Sequence, residues 1–173
     1  MSAAIALDPL CRGVGLSTSD RLDKAADGAA LWLGPYASVL LWPATEADLA
    51  DTTITAEAWF GDLLLQEEDS RSARVLDGYL LICLPAKPPE TLEPVLRSIE
   101  LSTRICRKHV VWPEADGEWR RFDSVTVLRL PEGVTSVASD LQWPTLSNDG
   151  KAMWADIQDR GGVAAAQAEE KRA

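Results

Sequence analysis

Apolar residues gather along this chain in short runs that stop at prolines. Trp42-Pro43, Leu84-Pro85, Trp112-Pro113 and Leu130-Pro131 each close such a run, and proline cannot donate to a strand ladder. The runs 31–33, 37–42, 79–84, 109–112 and 124–130 therefore read as strands, the first two joined by a turn at Gly34-Pro35. Residues 79–84 lack polar alternation, so both faces of that strand are expected to be covered. Between the runs, the spacing changes to the helical one. Trp59, Phe60, Leu63 and Leu64 share a face of a helix over 55–68, with fraying near 66–69 where acidic residues oppose the helix dipole. Leu92, Val95, Leu96, Ile99 and Cys106 form the stripe of a second helix over 90–107, where Pro94 must kink the helix or delay its start. Met153, Trp154 and Ile157 lie on one side of a third, over 151–160, which ends at Gly161-Gly162. Two weaker features complete the reading: a short helix over 19–30 ending near Gly28, and a turn capped by the Thr45 hydroxyl.

The predicted fold is α+β: a small mixed sheet of four to five strands with two main helices packed on it, and a C-terminal helix. Strands 79–84 and 109–112 should run parallel with a right-handed crossover through the helix between them. Residues 1–160 read as a single domain whose first 28 residues lack clear periodicity, and 161–173 as a flexible tail poor in groups to bury.

Composition narrows what such a domain can do. The chain has 173 residues, 46% of them hydrophobic and 25% charged, enough for a real core. A net charge of −10 argues against a surface given over wholly to nucleic acid. No run approaches the roughly 18 apolar residues a membrane span needs, and the N-terminus lacks the pattern of a signal peptide. Three cysteines, Cys11, Cys83 and Cys106, fit reduced thiols, so a cytoplasmic protein is expected.

Catalytic chemistry finds little support in the residues. The single histidine, His109, lies three residues from Cys106 across an expected helix–strand junction, and a Cys–His dyad there competes with a buried thiol and a strand-edge imidazole. Cys11, Cys83, Cys106 and His109 lack zinc-knuckle spacing. The Gly13-Val14-Gly15 turn lacks the third glycine of a dinucleotide loop. No catalytic residue, cofactor or metal is therefore assigned, and the expectation is a protein that is not an enzyme. Positive charge concentrates at Arg97, Arg104, Arg107 and Lys108, with Arg120 and Arg121 beside Trp119. One reading is an intramolecular ladder through Glu100, Arg104 and Arg107 at i, i+4, i+7, with Glu93–Arg97 as a further pair. The other is a docking strip for an acidic partner or a phosphate backbone. Among seven tryptophans, Trp143 and Trp154 lie in polar surroundings and are candidate interface anchors beside Trp119.

The segment Ser98–Val111, with its Cys106-Arg107-Lys108, resembles one in the middle components of bacterial ABC-three-component conflict systems, the Lamassu-like class. There a helix ending in Cys-Arg-Lys follows a strand similar to Asp77-Gly78-Tyr79-Leu80-Leu81. The resemblance covers about a fifth of the chain, from Asp77 to Val111. It implies a non-catalytic adaptor between an SMC-like ABC ATPase and an effector such as a nuclease, in antiphage or antiplasmid defence. DNA would then be met only indirectly or through the complex. Glu100, Arg104, Arg107 and Lys108 are the positions it covers, to hold the strand–helix junction or to dock a partner. A nucleic-acid-binding accessory module and an enzyme with an unrecognised site are the alternatives.

Overall fold

Alternation along the central strands decides which side chains go to which face. In β3 (Ala37–Pro43) and β4 (Asp77–Cys83), Leu40, Trp42, Leu80 and Ile82 enter one apolar cluster, while Val39, Leu41, Tyr79 and Leu81 enter another. Both faces are therefore covered, as the unbroken apolar runs require. The computed structural model describes residues 1–70, 76–129 and 147–161. It shows a five-stranded mixed sheet in the order β1-β2-β3-β4-β5, with β1 at Ser17–Ser19, β2 at Ala30–Leu33 and β5 at Arg107–Val111. The β1–β2 and β2–β3 pairs are antiparallel, whereas β3–β4 and β4–β5 are parallel. The strands expected at 31–33, 37–42, 79–84 and 109–112 all lie in this sheet, the last two side by side.

Helix α2 (Leu49–Ser70) links β3 to β4, and α3 (Glu93–Leu101) links β4 to β5. Both pack on the Leu40/Leu80 face through Ala56, Phe60, Leu63, Leu64, Leu96 and Ile99. Helix α2 begins six residues before the expected 55 and runs on through 66–69. The Asp48 carboxylate accepts the Thr45 N–H at 2.7 Å and the Asp48 carbonyl accepts that of Thr52 at 2.8 Å, so the turn before the helix is built by Asp48 rather than by the Thr45 hydroxyl. Helix α3 is shorter than the expected 90–107. Pro94 sits in its first turn, after a 3-10 turn at Glu90–Leu92, so the start is delayed as that proline demands. Its other end stops at Leu101, and Cys106 packs from the following loop.

Three further expectations are corrected. Residues 3–13 form a helix, α1 (Ala3–Gly13), whose Ala3, Leu7 and Cys11 bury at i, i+4, i+8 against the opposite face of the sheet. Ser2 starts it by accepting the Ile5 N–H at 3.4 Å. Residues 20–29 are successive turns rather than a helix, with Lys24 and Gly28 at positive φ. Residues 124–129 are not a strand: with 3-10 turns at Arg120–Ser124 and Thr126–Arg129 the segment buries Phe122, Val125, Val127 and Leu128, of which Val125 and Val127 also fit the period of two expected of a strand. Leu130 and the tail 162–173 lie outside the described residues.

The chain divides into two compact units, Met1–Ser136 and Val137–Ala173. The second contains α4 (Asn148–Arg160), slightly longer than the expected 151–160. Ser147 caps it by accepting the Gly150 N–H at 3.1 Å, and Gly161 closes it at φ 81°.

Candidate interaction surface

Strand β5 carries two of the singled-out basic residues, Arg107 and Lys108, and pleating separates them. Arg107 pairs with Tyr79 and Lys108 with Leu80 across the ladder, so the two side chains go to opposite faces. Lys108 goes inward and is 1% exposed at its side chain. Its ammonium lies 2.6 Å from the Glu57 carboxylate of α2 and donates to the Ser102 carbonyl at 2.8 Å and the Cys106 carbonyl at 3.4 Å. This cation thus sits on the carbonyl end of α3, where a positive charge is favoured, and ties α2, α3 and β5 together. It is a structural fastener, not a docking residue.

Arg121 is engaged in a similar way at the sheet edge. Its Nε donates to the Val110 carbonyl at 2.6 Å and its other guanidinium nitrogen lies 2.6 Å from Glu100, while Glu100 accepts the Val110 N–H at 3.0 Å. Two side chains thereby occupy the N–H and the carbonyl of Val110 on the side of β5 away from β4, which blunts an edge that would otherwise recruit another strand. The guanidinium also stacks 4.2 Å from the Trp112 ring. The expected ladder through Glu100, Arg104 and Arg107 does not form, because Glu100 is taken by Arg121 and α3 ends before Arg104. Nor does Glu93 pair with Arg97 among the described residues. Arg120 pairs with Asp116, and Trp119 stacks on Phe122 with centroids 5.5 Å apart while donating to the Met1 carbonyl at 3.3 Å. Arg97 and Arg104 are exposed. Trp154 is half exposed on α4, whereas Trp143 lies outside the described residues.

Arg107 is the member of the strip that reaches an open concavity. Its guanidinium bonds the Tyr79 hydroxyl at 2.5 Å and lies 3.5 Å from Asp77. Around it, a groove of about 500 Å³ runs between the C-terminal half of α2 and the 103–107 segment. Gly61, Leu65 and Ile105 give it an apolar floor and lip; Glu68, Asp77, Thr103 and Arg107 give it polar rims. Leu65 is 62% exposed and Ile105 41%. Gly78 keeps the floor close, since a Cβ there would come within 2.6 Å of Leu64 Cδ1 and 3.1 Å of Cys106 Cβ. The sequence reading missed Leu65, Ile105 and Glu57. The first two carry a signal, apolar residues placed off the buried stripe, which only gains meaning once α2 and β5 are adjacent.

Burial disfavours the charged forms of two thiols and of the imidazole. Burial raises the Cys106 thiol to about 11 and the Cys83 thiol to about 11. Burial also lowers the His109 imidazole, with neighbouring Glu100 opposing that shift. No cluster of three His, Cys, Asp or Glu side chains suited to a metal occurs among the described residues, and no helix among them is long and apolar enough to cross a membrane. No family model, curated protein or solved structure matches the chain. The groove therefore has to be read on its own chemistry.

Proposed function

We propose that the chain is a non-catalytic adaptor of the cytoplasm that docks a partner protein in the groove between α2 and residues 103–107. The observation that carries this reading is the exposure of Leu65 and Ile105 at the lip of a concavity rimmed by charged side chains, the make-up of a protein-binding patch with an apolar centre and polar edge. The resemblance of Asp77–Val111 to the middle components of Lamassu-like systems supports the reading that the partners are an SMC-like ABC ATPase and an effector, in antiphage or antiplasmid defence. On this reading DNA is reached through the complex, because Arg107, Lys108, Arg120 and Arg121 each pair with a carboxylate of the same chain. Co-expression with the products of the neighbouring genes, followed by size-exclusion chromatography, tests it. Co-elution with an ATPase is expected; a monomer that never co-elutes with any of them contradicts the adaptor role.

A further inference from the structure

Helix α2 has two apolar stripes and only one is used by the core. Ala56, Phe60, Leu63 and Leu64 face the sheet. On the outward side, Ile54, Ala58, Gly61 and Leu65 follow one another at intervals of 4, 3 and 4 residues; Ile54, Ala58 and Leu65 are exposed, Ile54 to 66%, while Gly61 is buried. That interval is the one by which a helix presents a seam to a second helix. Ile105, 41% exposed, covers the buried Gly61, so its side chain continues the seam between Ala58 and Leu65 and brings it to the groove described above.

Charge says what kind of helix fits. The 22 residues of α2 contain Asp51, Glu57, Asp62, Glu67, Glu68 and Asp69 and no lysine or arginine. Lys108 and Arg21 answer Glu57 and Glu67. Asp51, Asp62 and Glu68 lie along the flanks of the seam without a cation of this chain among the described residues; Asp51 is in the first turn, and Glu68, which accepts the Leu76 N–H at 3.4 Å, is near the carbonyl end with its negative potential. A second groove of about 420 Å³, lined by Arg21, Lys24, Trp59, Asp62, Leu63 and Gln66, borders the other side of the same ridge and, unlike the seam, carries basic groups.

We infer that the outward face of α2 receives a basic amphipathic helix of a partner protein, its apolar residues seated along Ile54, Ala58, Ile105 and Leu65 and its lysines or arginines against Asp51, Asp62 and Glu68. This rests on the adaptor reading and names the chemistry of the partner segment. The test places a photo-crosslinking amino acid at Leu65 in the full chain, co-expressed with the neighbouring gene products, and identifies the crosslinked peptide by mass spectrometry. A single partner segment with heptad-spaced apolar residues and an excess of Lys and Arg is expected. Ile54→Asp and Asp62→Lys, both at exposed positions, should each weaken the complex by about tenfold or more, and added salt should weaken the wild-type complex further. Crosslinks into an acidic segment, into nucleic acid or within the chain itself overturn the inference. If the complex forms but Leu65 crosslinks to nothing in it, the adaptor role survives and this docking face does not. If no complex forms, both fall together.

Discussion

Replacing Lys108 by alanine leaves the Glu57 carboxylate and the Ser102 and Cys106 carbonyls around a space without a cation. Removing one partner of a buried pair costs about 3–5 kcal/mol, whereas replacing both by apolar groups of similar size is often close to neutral. Lys108→Ala should therefore lower unfolding free energy in urea by about that amount, and Lys108→Met combined with Glu57→Leu should recover most of it; equal losses in both would contradict the fastener role. Gly78→Ala should cost about 1–3 kcal/mol through overpacking against Leu64 and Cys106, read as a lowered urea midpoint with an unchanged slope. The thiols set an alkaline limit. Burial raises Cys11 from 9.0 to about 12 and Cys83 and Cys106 to about 11. The folded state holds these protons more tightly than the unfolded one, so the contribution is whole below pH 9 and lost as pH rises through the folded values. Urea titrations at pH 8 and 10.5 should show lower stability at the higher pH, and less of a loss once the three cysteines are replaced by alanine.

At the scale of elements, the edge of β5 depends on side chains rather than on another strand. Arg121→Ala frees the Val110 carbonyl and leaves Glu100 without its cation, at a cost of about 1–3 kcal/mol. Hydrogen exchange should quicken at Val110 while the interior of β4 stays protected. Unchanged exchange there would show that the cap does not matter. The same elements explain what could be read in advance. Strands ending at Pro43, Pro85 and Pro113 were legible because apolar runs and proline stops are local signals, and Pro94 marked the true start of α3. The strand expected at 124–130 failed because alternating valines satisfy a period of two and a 3-10 turn equally well. Helix α1 was missed because only Ala3, Leu7 and Cys11 carry its stripe, with Pro9 inside it. For the candidate site, the basic residues were visible but their engagement was not. Whether Arg107 reaches solvent and Lys108 does not follows from strand pleating, and Glu57, 51 positions before Lys108, meets it only in the folded sheet.

For the whole molecule, Asp77–Val111 reads as one locked unit on which α2 is mounted. Gly78 admits Leu64, Lys108 holds Glu57, and Glu100 with Arg121 closes the edge. This rigidity leaves the outward stripe of α2 and the adjoining groove as a preformed surface, which lowers the ordering cost of binding. The most direct measurement of this account is the affinity of the purified chain for the neighbouring gene product that co-elutes with it, compared between wild type and Leu65→Asp, with thermal melting of both. The account predicts about tenfold or greater weakening, a loss of at least about 1.4 kcal/mol of binding, with melting temperature unchanged because Leu65 is exposed. Equal affinity for the two proteins would contradict it.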